Sequence, residues 1–295
     1  MGNQFNIQFN KDKGMMVSFI YKDVELIREG PLPNFWRAPT DNDFGNKMQV
    51  KNKIWQLASN SRQVENFEVI QANESQVQVS ITYLLDGIKS IFVNDYFILG
   101  NGQVYIYSKF EVGEKELPEV PRFGLKMVLP EGFENVKWYG RGPHENYQDR
   151  KTSAFVGLYR STVSEMYYPY VRPQENGNRT GIRWMSLTNH DGTGLLILGS
   201  KTFDGSALHY SVDDLDYTVS KNKHITDLKE RPEVYLNIDM NQRGVAGDNS
   251  WGAKPMDKYR IMPRDYSYTV ILSPVTSNDD PMEMSRMHYQ IERTR

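Results

Sequence analysis

The sequence predicts an all-β protein, one large antiparallel sandwich of two sheets. Two observations carry this: apolar residues alternate with polar ones over many short runs, and nowhere does an apolar 3,4-spacing persist beyond one or two turns. Gln76–Tyr83 (QVQVSITY) and Gln103–Phe110 (QVYIYSKF) are the clearest runs, with β-branched and aromatic residues suited to a half-buried pleat. Leu99-Gly100-Asn101-Gly102 supplies the positive φ of a tight turn before the second run. Further strands are expected at Met15–Tyr21, Phe67–Gln71, Ile88–Ile98, Gly124–Leu129, Asn135–Tyr139, Gly181–Thr188, Gly194–Gly199, Glu233–Met240 and Tyr266–Leu272. Ile54–Asn60 and Asp213–Leu215 are the short helix candidates. So many antiparallel strands bury alternate side chains by packing two sheets face to face. Fixed-period self-similarity is missing, which disfavours a propeller or β-helix. The sandwich is assigned to residues 1–276, and the polar stretch 277–295 to a trailing tail.

Composition narrows the function. In 295 residues, 35 basic and 37 acidic side chains leave a net charge of −2, so no field recruits nucleic acid or an anionic membrane. The longest apolar stretch, Gly194–Gly199, is far shorter than the roughly 18 residues of a membrane span. Neither nucleic acid nor membrane is therefore an expected partner. Zero cysteines exclude a disulfide scaffold, a cysteine zinc site, an iron–sulfur cluster and a thiol nucleophile. The start, Met1-Gly2-Asn3-Gln4-Phe5, lacks a basic-then-apolar secretion signal, which fits either a cytosolic protein or a piece of a longer one.

Two stretches are too long and too aromatic to be mere connections, Trp138–Arg150 (WYGRGPHENYQDR) and Met166–Trp184 (MYYPYVRPQENGNRTGIRW). Their charged residues Arg141, Glu145, Asp149, Arg150, Glu175 and Arg179 fit ion pairs and turn caps that hold two large loops together. The functional alternative drafts Glu145 and Glu175 as an acid/base pair, or His144 as a proton carrier, with Arg179 beside them in a cleft. Asp41-Asn42-Asp43-Phe44-Gly45 begins like a calcium loop, but position twelve is Asn52 and the glycine falls one place early, so a turn is expected. No phosphate, dinucleotide or metalloprotease motif occurs. In Gly244–Ala253 (GVAGDNSWGA) Trp251 sits among small residues, off any alternating strand face. Its indole either folds back to plug the sandwich or offers its face to the C–H surface of a sugar ring.

RAPTDNDFG (from Arg37), WYGRGPHENYQDR, MYYPYVRPQENGNRTG and GDNSW occur in that order, and with them the chain resembles, over about Met15 to Pro274, the C-terminal domain of the large bacterial β-galactosidases of glycoside hydrolase family 2. The resemblance implies a galactose-mutarotase-like β-supersandwich. It implies a parent β/α barrel before residue 1 that holds the catalytic glutamates and a magnesium ion, so that this segment contains no catalytic residue, binds no cofactor of its own and is inactive alone. Its implied partners are a β-galactoside, or galactose and glucose, and the rest of its own polypeptide. By motif, Trp251 is the residue that stacks on substrate; His144, Glu145 and Arg179 receive no transferred role. The host compartment stays open between bacterial cytoplasm and periplasm. Two other functions fit the same sandwich: a free-standing aldose epimerase or lyase using His144, Glu145 and Arg179, and a carbohydrate-binding or assembly module. A domain whose barrel-facing surface is uncovered is expected to self-associate into a homo-oligomer.

Overall fold

The structure is a computed structural model that describes residues 2, 4–113, 116–249 and 251–287. Residues 288–295 of the expected tail lie outside the described residues. In chain order the elements are β1 (Phe5–Asn10), β2 (Met15–Tyr21), β3 (Val24–Glu25), β4 (Glu29–Asn34), α1 (Asp41–Gly45), α2 (Met48–Lys51), α3 (Lys53–Asn60), β5 (Gln63–Asn73), β6 (Gln76–Leu85), β7 (Ser90–Leu99), β8 (Val104–Glu111), β9 (Arg122–Leu129) and β10 (Asn135–Gly142). They continue with β11 (Phe155–Thr162), α4 (Val163–Met166), β12 (Arg179–Thr188), β13 (Gly194–Leu208), α5 (Val212–Leu215), α6 (Tyr217–Ser220), β14 (Val234–Gln242), β15 (Tyr266–Val275) and α7 (Pro281–Met284). All the pairings recorded between these strands are antiparallel.

One layer runs β11-β10-β12-β13-β15-β8-β7-β6-β5, and a second branch continues β13-β14-β9-β4. The two share a single strand. Gly194–Gly199 of β13 pairs with β15, whereas Asp204–Leu208 pairs with β14. The bend between them is tight: a Cβ on Gly199 would stand 2.0 Å from the Lys201 carbonyl, so only glycine fits there. β1, β2 and β3 form a separate small sheet.

The layers meet face to face through aromatic side chains. Phe123 on β9 lies 6.2 Å from Phe92 on β7, 5.7 Å from Phe110 on β8 and 4.9 Å from Tyr266 on β15, centroid to centroid. Phe35, just after β4, joins Phe92, Phe110, Phe123 and Trp55 of α3 in the same cluster. Alternation explains the arrangement: Phe123, Leu125, Met127 and Leu129 of β9 are buried in the core, while Lys126 and Val128 point to the other face.

The expected all-β supersandwich is therefore the fold observed. The differences are local and have physical causes. β4 reads EGPLPN, and its two prolines argue against a strand; it survives because it pairs with β9 alone, on an edge where a missing N–H is tolerated. β11 lacks clean alternation because it is also an edge strand, with Phe155 and Leu158 exposed. Ile88 belongs to a short 3₁₀ turn rather than to the strand that follows. Asp41–Gly45 is a five-residue helix instead of a turn, fixed by a capping box in which the Asp43 amide donates to Thr40 Oγ1 at 3.1 Å and the Thr40 amide donates to Asp43 Oδ2 at 3.0 Å. The two long irregular stretches are shorter than the sequence implies, since β10 extends to Gly142 and β12 begins at Arg179. In the described part of the tail, Met282 and Met284 of α7 pack against a cluster of Trp184, Leu196, Leu198 and Val275.

Because Phe123 touches rings from three strands of the opposite layer, Phe123→Ala should cost about 3–5 kcal/mol. A urea denaturation midpoint measured against wild type checks this, and a loss below about 1 kcal/mol would show that the layers are held elsewhere.

Candidate functional site

The loop bearing Trp251 is rooted in a buried charge cluster. Arg37 clasps Asp43 with two nitrogens, Nε to Oδ2 at 3.0 Å and Nη2 to Oδ1 at 2.9 Å. Arg243 donates to the same Oδ1 at 2.8 Å, so one carboxylate bridges two guanidinium groups, and all three side chains are wholly buried. Arg37 also donates from Nη1 to the Arg243 carbonyl and to Gln242 Oε1 at 3.1 Å, and from Nη2 to the Gly244 carbonyl at 3.0 Å. Burial opposes the charge on Arg37, yet Asp43 outweighs it and the guanidinium pKa is raised. Arg243 also reaches Glu119 at 3.2 Å.

Beyond that root, Asp149 accepts the amides of Val245 at 2.9 Å and Ala246 at 2.8 Å. The carboxylate comes so close that a Cβ on Gly244 would stand 2.4 Å from it, which accounts for the glycine. Asn42 and Asn46 from the α1 segment donate to the carbonyls of Val245 and Ala253 at 3.0 and 3.5 Å. Asn249 Oδ1 accepts the amides of Trp251 and Ala253 at 2.9 and 3.4 Å, a local turn of the kind asparagine favours. Ser250 of the GDNSW motif lies outside the described residues. Trp251 is 89% exposed, so its indole is not folded back as a plug.

His144, Glu145 and Arg179 line one open cleft of about 340 Å³ together with Trp138, Glu165 and Tyr168. His144 is exposed, with Ser153 Oγ 3.1 Å from its Nε2. Glu145 is buried and committed as an acceptor: Arg150 donates at 2.5 Å, the Gly177 amide at 2.9 Å, and the Tyr170 hydroxyl completes the set. Arg179 lies 5.4 Å over the Trp138 ring and donates to the carbonyls of Pro143 at 3.1 Å and Gly177 at 2.8 Å. Burial pulls its guanidinium down to about 10.

Glu175 lies apart from that cleft, paired with Arg122 at 2.8 Å and contacted by Gln242. Arg122 also pairs with Asp239 at 3.0 Å. Burial raises the Glu175 pKa despite Arg122 and Arg37. Arg141 donates to the Ala154 carbonyl at 2.7 Å. These side chains are therefore engaged in holding loops and strands. What the sequence reading did not foresee is that Arg37, Asn42, Asn46 and Asp149 converge on the Trp251 loop; the signal was present, since Arg37, Asn42 and Asp149 lie inside two of the motifs singled out. Among the described residues, no three histidine or carboxylate side chains converge as metal ligands.

The geometry is that of a sandwich domain presenting a braced aromatic loop. Residues 1–272 match the family model described as the β-galactosidase small chain, and the chain belongs to that family. It is 38% identical over 275 residues to the β-galactosidase of Priestia megaterium and 31% identical over 278 residues to that of Streptococcus thermophilus; each match takes in 93% of this chain and 26% of the relative. The chain thus spans about a quarter of the length of these relatives. Among solved structures, an aldose 1-epimerase described as putative from Escherichia coli superposes with a TM-score of 0.48 at 8% identity, over 93% of this chain and 97% of that one. A galactose mutarotase-like protein from Lactobacillus casei gives 0.48 at 9% identity, over 93% and 98%.

Two consequences can be measured. Asp149→Ala removes an ionised acceptor from two amides and should cost about 1.5–3 kcal/mol. Hydrogen exchange at Val245 and Ala246 should then rise, while unchanged protection would separate Asp149 from the loop. The second concerns Asp204, buried under Gln148 Nε2 at 2.9 and 3.0 Å and the Gly181 amide at 3.3 Å. Burial raises its pKa to about 6, against the usual 3.8, although both hydrogen-bond donors work downward. The folded state therefore holds this proton more tightly than the unfolded state. Its contribution to stability is present at low pH and is lost as pH rises through the interval from 3.8 to about 6. Wild type should lose stability relative to Asp204→Asn across that interval, and parallel pH profiles of the two would refute the assignment.

Proposed function

We propose that this chain is the C-terminal sandwich domain of a retaining β-galactosidase that releases terminal non-reducing β-D-galactose, and that it supplies substrate binding rather than bond cleavage. The observation that carries the reading is Trp251: a large apolar ring 89% exposed to water on a loop anchored from four directions. Exposing an indole forgoes about 1.5–3 kcal/mol of burial, which a stacked sugar would restore. The face of the ring suits the C–H surface of a pyranose, and the leaving-group sugar, glucose in lactose, is the assigned ligand.

In the parent enzyme one carboxylic acid protonates the glycosidic oxygen and a second carboxylate attacks the anomeric carbon, after which water releases galactose. Those carboxylates and the expected magnesium are assigned to the rest of the polypeptide. Glu145 is already satisfied by three donors and Glu175 is paired with Arg122, which supports leaving both out of the chemistry. The role left to this chain is positional. Stacking that acts equally on ground and transition states lowers KM, and stacking on the leaving sugar also retains it as an acceptor for galactosyl transfer.

The test is kinetic, on the full-length polypeptide. Trp251→Ala should raise KM for lactose and weaken inhibition by glucose, each by about 1–3 kcal/mol, with stability unchanged. Unaltered KM together with unaltered glucose inhibition would overturn the assignment.

A further inference from the structure

The face of β4, β9 and β14 turned away from the aromatic core differs at its two ends. At one end Arg122, Asp239 and Glu175 fill it with paired charges. At the other it opens into a cavity of about 190 Å³, roofed by the segment that carries α5. The ladder fixes what lines it: Lys126 of β9 stands opposite Leu32 of β4 and Asn237 of β14, and Val128 stands opposite Tyr235. Paired residues share a face, so Leu32, Lys126, Asn237 and Tyr235 belong to one wall. Glu29, Ser211, Val212 and Asp213 complete it.

The polar groups of this wall are of two kinds. Asn237 is satisfied, accepting from Asn34 at 3.0 Å and donating to Ser206 at 3.1 Å, and Ser211 caps α5. The Lys126 ammonium, the carboxylates of Glu29 and Asp213, and the Tyr235 hydroxyl make no hydrogen bond or ion pair among the described residues. That contrasts with the other end of the same face, where paired groups fill the space. Lys126 is partly buried, and burial lowers its pKa, with Arg62 adding to the effect while Asp213 and Glu29 oppose it. The ammonium and the two carboxylates thus face one open space without touching, and a ligand hydroxyl placed there would serve both.

We propose that this cavity is a binding site for a neutral monosaccharide, held as a single pyranose ring. Charge and size select that class. Two carboxylates against one ammonium leave the wall net negative, which disfavours phosphates and other anions, while the ammonium disfavours cations. A neutral polyol answers both signs at once, because adjacent hydroxyls accept from Lys126 and donate to Glu29 and Asp213. Leu32, Val212 and the Tyr235 ring supply apolar surface for the C–H side of the ring. The volume lies below the roughly 300–1,000 Å³ of sites for larger ligands, so one ring fits and a disaccharide does not. The site is distinct from the Trp251 loop, and the choice of galactose as probe rests on the β-galactosidase reading.

Lysine acylation tests the proposal where the sugar would sit. The full-length polypeptide is treated with N-hydroxysuccinimidyl acetate with and without D-galactose, and modification at each lysine is read by mass spectrometry, normalised to exposed Lys11 and Lys201. With galactose at ten times its dissociation constant, acylation of Lys126 should slow roughly tenfold. In Asp213→Asn, a change at an exposed position that leaves the fold intact, and in Tyr235→Phe, the protection should weaken. Three results would each overturn the proposal: an unaltered Lys126 rate in galactose and glucose, protection by sodium phosphate in place of sugar, or full protection surviving in both variants. Lactose hydrolysis by the same preparation is scored separately. A sample that hydrolyses lactose but shows no Lys126 protection refutes this site alone. One that protects Lys126 without hydrolysis refutes the enzymatic reading alone.

Discussion

A single carboxylate, that of Asp43, is the point on which the end of the molecule that carries the Trp251 loop is built. Two fully buried arginines from distant parts of the chain converge on it, and each also reaches outward, Arg37 to the carbonyls of Arg243 and Gly244 and Arg243 to Glu119. Buried ions are costly to desolvate and repay that cost only when their hydrogen-bonding capacity is met; removing one partner typically costs about 3–5 kcal/mol. Here most of the capacity is met by backbone as well as by charge, with Arg243 Nε left as a buried donor without a hydrogen bond. The cluster therefore does more than add stability: it sets where the polypeptide leaves β14 and so where the following loop begins. Asp43 also closes the capping box of α1, which brings Asn42 and Asn46 to the same loop.

This arrangement explains how an exposed ring can be held in place without a core beneath it. Loops gain order from side chains that bond their backbone. The Val245–Ala246 amides are taken by Asp149, the Val245 carbonyl by Asn42, and the turn at Asn249 is closed locally. The ring itself contributes nothing to these bonds, so its position is decided by polar residues. The exposed ring and its bracing are thereby separated, which allows the indole to be changed with little effect on the fold.

Much of the fold was legible because period-two alternation follows directly from the pleat. QVQVSITY and QVYIYSKF pair within β6 and β8 as their patterns require. The strands that the pattern does not reveal, β1, β3, β4 and β11, are all edges, where burial does not impose alternation and, as in β4, proline is permitted. The site was harder to read. Its motifs were visible, and Trp251 stood out as an aromatic residue off any strand face. What could not be read was the convergence of Arg37 on Gly244 and Asp149 on Val245, since pairings about 200 and 96 residues apart have no local signature. DNDFG reads as a turn because a capping box in so short a helix looks the same in sequence as a loop.

The strand β13 belongs to both layers, its first half bonded to β15 and its second to β14. That shared membership has a consequence for how the molecule comes apart. A nick near Ser200, at the bend, would not release two independent lobes, because each half of β13 stays bonded to its neighbours, the first to β12 and β15 and the second to β12 and β14. The two layers are in that sense a single cooperative unit, and no natural seam lies between them at which evolution or a protease could divide the fold.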